Sequence, residues 1–99
     1  GNAMYKTKGS VQTENARKYL QQLCKHFAHK VDVDFTPDKG HVSFPMGQCT
    51  ILAQSTLLSF EGQSEQEEGI ARMKGVIISH LDKFAWREQI EYIWDDSCE

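Results

Sequence analysis

Apolar residues recur at helical spacing in two stretches of this chain and alternate with polar ones through most of the rest. Ala16, Tyr19, Leu20, Leu23 and Phe27 make one stripe, and Ile70, Met73, Ile77, Leu81 and Phe84 make the second. A helix with a single apolar stripe buries that side against another element and leaves the other side in water. Two such helices set among period-two segments predict an α+β two-layer sandwich, with both helices on one face of a sheet.

Tyr5, Thr7, Gly9 and Val11 alternate with Lys6, Lys8, Ser10 and Gln12 and predict a first strand. Thr13 can cap the helix behind it, with Glu14 near the positive end of the helix dipole, and the helical pattern runs to about residue 29. Val31, Val33 and Phe35 then alternate with Asp32 and Asp34. The turn Thr36-Pro37-Asp38-Lys39-Gly40 leads into a return strand marked by Val42 and Phe44. Pro45 and Gly47 end it, and two further strands are expected over 48–54 and 57–61. Ser64-x-x-Glu67 reads as a capping box opening the second helix, where Glu65, Glu67 and Glu68 suit the dipole. Gly69 and Gly75 each cost that helix roughly 1 kcal/mol relative to Ala, and close approach to the sheet is the reason expected at Gly75. Ile90, Tyr92 and Trp94 alternate with Glu91, Ile93 and Asp95 as a last strand, with 96–99 expected to fray. The order is therefore β-α-β-β-β-β-α-β, and short turns between the meander strands favour an antiparallel-rich sheet of roughly five or six strands.

A chain of 99 residues supports one domain, read as residues 4–95 after a Gly1-Asn2-Ala3 segment that looks like a cloning remnant. Its net charge of −3 and pI near 5.8 argue against nucleic acid as the main partner, because phosphate binding needs a clustered basic surface. Lys6, Lys8, Arg17, Lys18, Lys25 and Lys30 enrich the first third in positive charge and read as solvated strand and helix faces. Apolar runs such as Val76-Ile77-Ile78 fall far short of the ~20 residues a membrane span needs. With no signal-peptide pattern, a cytoplasmic location away from membranes is expected. Cys24, Cys49 and Cys98 are odd in number and widely spaced, which points to a reducing compartment and no disulfide framework. No C-x-x-C pair occurs, so spacing excludes a zinc ribbon and a thioredoxin-type redox centre.

One constellation has chemical promise: Cys24, His26, His29 and His80. Thiolate and imidazole are ligands that iron, zinc and copper favour, so iron or another transition metal is the cofactor such a set would suit. Helix geometry divides the set. Cys24 and His26 lie roughly 160° apart around a regular helix and cannot grip one ion together, whereas His26 and His29 lie about 60° apart and can. Both stripes have edges that should border a groove between the helices. His80 lies on one edge, and the facing edge offers either Cys24 or His26. The balance falls to His26, because Cys24 is the easier of the two to bury as plain core. The structural alternative makes His80 a half-buried ring bonded to a backbone carbonyl, with His26 and His29 as cations at a helix C-terminus. A nucleophilic Cys24 assisted by His80 lacks any accompanying catalytic signature.

Arg87 and Glu88 read as an Arg–carboxylate pair tying the second helix to the sheet through Asp32 or Asp34. Trp86 and Trp94 read as core or edge cover. Asp32 and Asp34 have no glycine-punctuated loop and make no calcium site.

Two stretches carry a family resemblance. They are Tyr19-Leu20-Gln21-Gln22-Leu23-Cys24-Lys25-His26-Phe27-Ala28-His29-Lys30, running on through Phe35-Thr36-Pro37 and Gly40, and His80-Leu81-Asp82-Lys83-Phe84-Ala85-Trp86-Arg87-Glu88. From Met4 to Trp94 the chain resembles the bacterial domain-of-unknown-function family 2218, whose members have no assigned activity. Some related sequences are fused to, or encoded beside, flavin-dependent siderophore-interacting proteins. The resemblance therefore implies a non-enzymatic accessory or binding domain linked to iron–siderophore handling, with a siderophore-interacting flavin reductase as partner. The alternative is a metal- or haem-binding protein, or a small enzyme, that uses the histidine-lined groove.

Overall fold

The computed structural model describes residues 3–99, so Gly1 and Asn2 of the segment read as a cloning remnant lie outside the described residues. The elements are β1 (Tyr5–Gln12), α1 (Ala16–Phe27), β2 (Asp32–Phe35), β3 (Lys39–Phe44), β4 (Gly47–Ala53), β5 (Leu57–Ser64), α2 (Glu67–Phe84) and β6 (Ile93–Cys98). This is the expected order. The six strands form one sheet in the order β2-β3-β4-β5-β1-β6, and every neighbouring pair is antiparallel. Two long connections, each containing a helix, carry the chain from β1 to β2 and from β5 to β6. Both helices consequently lie over the same face.

Alternation decides what that face contains. Val11, Leu58, Phe60, Cys49, Ile51, Val42 and Phe44 point under the helices and are buried with Leu20, Leu23, Cys24, Met73, Ile77 and Leu81. Each large aliphatic or aromatic side chain so buried contributes roughly 1.5–3 kcal/mol. The opposite face is uncovered and mostly polar, with Leu52, Leu57 and Ile93 as its apolar members. Along one line across it the register sets Asp95, Lys8, Glu61, Thr50, His41 and Asp34 side by side. Alternating charge of that kind leaves the face in water without repulsion between neighbours.

Several expectations at element ends are corrected. α1 starts at Ala16, so Glu14 lies outside its first turn. Thr13 instead forms a local turn, its Oγ1 accepting the Asn15 N–H at 3.1 Å. The Ser64-x-x-Glu67 capping box does not form, because Ser64 is still paired with Tyr5 at the end of β5. Gln66 takes the N-cap position, and Ser64 Oγ accepts its N–H at 3.2 Å. The close approach expected at Gly75 is found at Gly69, where a Cβ would fall 2.0 Å from Ser64 Oγ. Gly75 faces open space.

The end of the chain also differs. β6 begins at Ile93, later than the alternation suggested, because the segment after α2 must first return to the sheet edge. It then pairs through the residues expected to fray, with Tyr5 opposite Cys98 and Met4 and Glu99 exchanging bonds of 2.8 and 2.9 Å. Trp94 is held over Gly9, where a Cβ would fall 2.2 Å from its ring, and so covers the edge as expected. Trp86 does not: it is 71% exposed, with the Arg87 guanidinium 4.6 Å from its ring centroid.

Candidate functional site

The C-terminal half of α2 returns along α1, and the two helices meet in a seam. At one end of it the rings of His26 and His80 are 4.5 Å apart between centroids and tilted by 49°. Phe27 touches the His80 ring edge-on at 5.2 Å, and Phe84 faces His26 at 6.1 Å. The groove expected to set either Cys24 or His26 opposite His80 thus has His26 there. His80 Nδ1 lies 2.6 Å from the Val76 carbonyl oxygen, and since that oxygen only accepts, Nδ1 carries the proton. In the neutral ring Nε2 is then the atom with a free lone pair. Burial lowers the proton affinity of His26, and the charges of His80, Lys30, His29 and Lys83 lower it further.

His29 and Cys24 do not join this pair. His29 follows the end of α1 on the surface, its N–H donating to the His26 carbonyl at 3.2 Å. Cys24 is fully buried on the sheet side of α1, packed so closely over β3 that a Cβ on Gly40 would lie 2.5 Å from its Sγ. Burial pushes its thiol up to about 11, and the Cys49 thiol up to about 12. Both therefore stay protonated at neutral pH and are poor nucleophiles. Among the described residues no group of three or more His, Cys, Asp or Glu side chains is placed to hold a metal ion.

The other end of the seam is organised by a residue that the sequence left in a bland role. Glu88 accepts hydrogen bonds from Thr13 at 2.9 Å, from Asn15 at 3.0 Å and from the Tyr19 hydroxyl. The Tyr19 bond is the main reason its carboxyl titrates below the usual range, and burial is the main reason Tyr19 is pushed up to about 12. Among the described residues the expected tie to Asp32 or Asp34 does not form: Glu88 closes the start of α1, and Arg87 rests on Trp86. Beside this node lies a cavity of about 500 Å³, its rim formed by Lys18, Gln22, Phe84, Trp86 and Arg87. The Gln22 Oε1 atom is buried and has no hydrogen-bond partner among the described residues. No local motif signals this node, since the partners of Glu88 lie more than seventy positions away for Thr13 and Asn15.

The helical parts of both stretches run along this one seam, meeting at His26 with His80 and at Tyr19 with Glu88, while Phe35-Thr36-Pro37 and Gly40 belong to the β2–β3 hairpin. A family model described as an uncharacterized protein conserved in bacteria (DUF2218) matches residues 8–95. The chain belongs to this family. The NMR structure of PA4090 from Pseudomonas aeruginosa is similar over 92% of this chain and 95% of that one, at 33% identity and a TM-score of 0.78. The de novo designed protein Foldit4 shares the fold at 13% identity and a TM-score of 0.50, covering 96% of this chain and 94% of its own. No functionally curated protein matches. No helix among the described residues is long and apolar enough to cross a membrane.

Proposed function

We propose that this protein is a non-enzymatic binding domain that serves bacterial iron–siderophore handling beside a siderophore-interacting flavin reductase, and that its ligand lies along the α1–α2 seam. One observation carries the reading: two stretches far apart in sequence, which together carry the family resemblance, converge on a single cavity-bearing seam. The chemistry of the cavity suits an anionic, ring-bearing chelator. Lys18 and Arg87 supply positive charge, Trp86 supplies an exposed aromatic face, and the unpartnered Gln22 amide oxygen accepts from an N–H or O–H group of the ligand.

The experiment is a titration of the ¹⁵N-labelled protein with a hydroxamate and a catecholate siderophore, each iron-free and iron-loaded. Shifts at Lys18, Gln22, Trp86 and Arg87 are expected, and Arg87→Ala with Trp86→Ala should weaken binding about tenfold or more. Saturable shifts confined to other residues, or undiminished binding by the folded double variant, would overturn the reading.

A second reading, a metal at His26 and His80 in a cytoplasmic metal-binding protein, is favoured by the way Val76 holds His80 Nδ1. Metal-ligating histidines usually donate their other ring N–H in this manner. The pair offers two donors, so a metal there would need others from its chelator. The adjacent rings leave no room between them for a haem plane. Iron retained by untagged protein and lost in His26→Ala with His80→Ala supports the second reading, whereas siderophore binding undiminished by that double variant supports the first.

A further inference from the structure

β6 ends the sheet, and among the described residues nothing pairs with its outer edge. The alternation of an antiparallel ladder identifies the backbone groups left over there. Met4 and Glu99 exchange both of their bonds, so the bonded pairs continue at Lys6 with Ser97, Lys8 with Asp95 and Ser10 with Ile93. The N–H and C=O groups of Trp94, Asp96 and Cys98 consequently point away from the sheet. Beside this edge a cavity of about 710 Å³ opens between β6 and the flank of α2. Tyr5, Ile70, Ala71 and Ile78 form its apolar wall, and Gly75 widens it because nothing occupies the space where a side chain would project. An unpaired edge next to an apolar groove is the arrangement that receives an extended peptide as an added strand. Main-chain bonds then hold the peptide while alternate side chains enter the groove.

Charge selects the occupant. Between Gln89 and Glu99 the chain carries Glu91, Asp95, Asp96 and Glu99 and no Lys, Arg or His. Lys74 pairs with Asp96 at 2.5 Å and Lys6 with Glu99 at 2.9 Å, and among the described residues Glu91 and Asp95 have no salt bridge. A second copy joined antiparallel through this edge would set Asp95 opposite Asp95, or Asp96 opposite Asp96, in the two registers centred on the strand. Like charges directly opposite each other destabilise such a pairing. A basic strand meets no such penalty.

We propose that the β6 edge and the α2 groove together dock an extended partner segment in which basic and apolar residues alternate. Its apolar side chains enter the groove beside Ile70 and Ile78, and its basic ones lie on the uncovered face near Asp95. This docking is independent of the seam.

The test uses the ¹⁵N-labelled protein and a short, end-blocked synthetic peptide alternating valine and lysine. Amide shifts are expected at Trp94, Asp96 and Cys98, and at Gly75 and Ile78 across the groove. A peptide with glutamate in place of lysine should bind at least about tenfold more weakly. Gly75→Leu fills the groove at a solvent-facing helix position, so it should keep the fold and lose about tenfold in affinity. Asp95→Lys should lose a similar factor. Equal binding of the two peptides overturns the proposal, as do shifts confined to the β2 edge, undiminished binding by folded Gly75→Leu, or concentration-dependent dimerisation that moves the same amides.

Discussion

The Tyr19 hydroxyl donates to the Glu88 carboxylate and so ties the buried side of α1 to the segment following α2. With Thr13 and Asn15 as further donors, one acidic side chain closes the start of a helix that has no side-chain cap of its own. Glu88→Ala leaves a buried phenol unsatisfied and should destabilise the fold by about 2 kcal/mol. Urea unfolding at pH 7 measures this.

The same node has a pH signature. Glu88 titrates below its usual 4.5 in the folded state, so its contribution is present above that pH and is lost as pH falls through the folded value. Glu88→Gln should flatten the acid limb of the stability curve below about pH 4.5, which urea midpoints collected from pH 3 to 6 would reveal.

His26 acts in the same direction at higher pH. Its folded proton affinity is below the usual 6.5, so the unfolded chain binds the proton first and stability declines as pH drops from there. His26→Gln should remove part of the loss between pH 6.5 and 5. A variant whose decline matches the wild type would show that the seam exerts no hold on the ring.

The two helix glycines should respond in opposite ways. Gly75 has open space around it, so Gly75→Ala should add about 1 kcal/mol of stability, or roughly 4–8 °C in Tm. At Gly69 the new methyl would collide with Ser64, and Gly69→Ala should destabilise. Thermal melts of the two variants give the comparison directly.

For the thiols, Cys98 should react with iodoacetamide at pH 8 while Cys24 and Cys49 remain protected until the fold opens. Cys24→Ser should cost roughly 1–3 kcal/mol, because it places a hydroxyl among apolar neighbours, and loss of Cys98 should leave stability unchanged. Intact-mass counting of labelled thiols, with and without urea, reads out the first part.

Most of the fold was legible because periodicity reports which side of an element is buried, and both helices and the meander have clean periods. The errors fall where a distant partner overrides a local pattern. Ser64 resembles a cap but pairs with Tyr5, and Ile90 resembles strand but belongs to the return path before β6 meets β1. At the seam, stripe edges placed His80 beside an edge of α1, yet the choice between Cys24 and His26 depended on how α1 is rotated. That rotation is set by packing on β3, where Gly40 makes room for the Cys24 sulfur. The node at Glu88 had no local signal at all.

The position of β1 has a consequence for the ribosome. β1 is the first strand of this sheet to be made, yet it sits between β5 and β6, the last two of the sheet. During translation its backbone has no sheet neighbour until residues 57–64 have left the exit tunnel, and its other side waits for 93–98. The β2–β3–β4 hairpins can assemble early, but the nascent domain must carry β1 without a sheet neighbour until β5 emerges, and the sheet closes only when β6 follows.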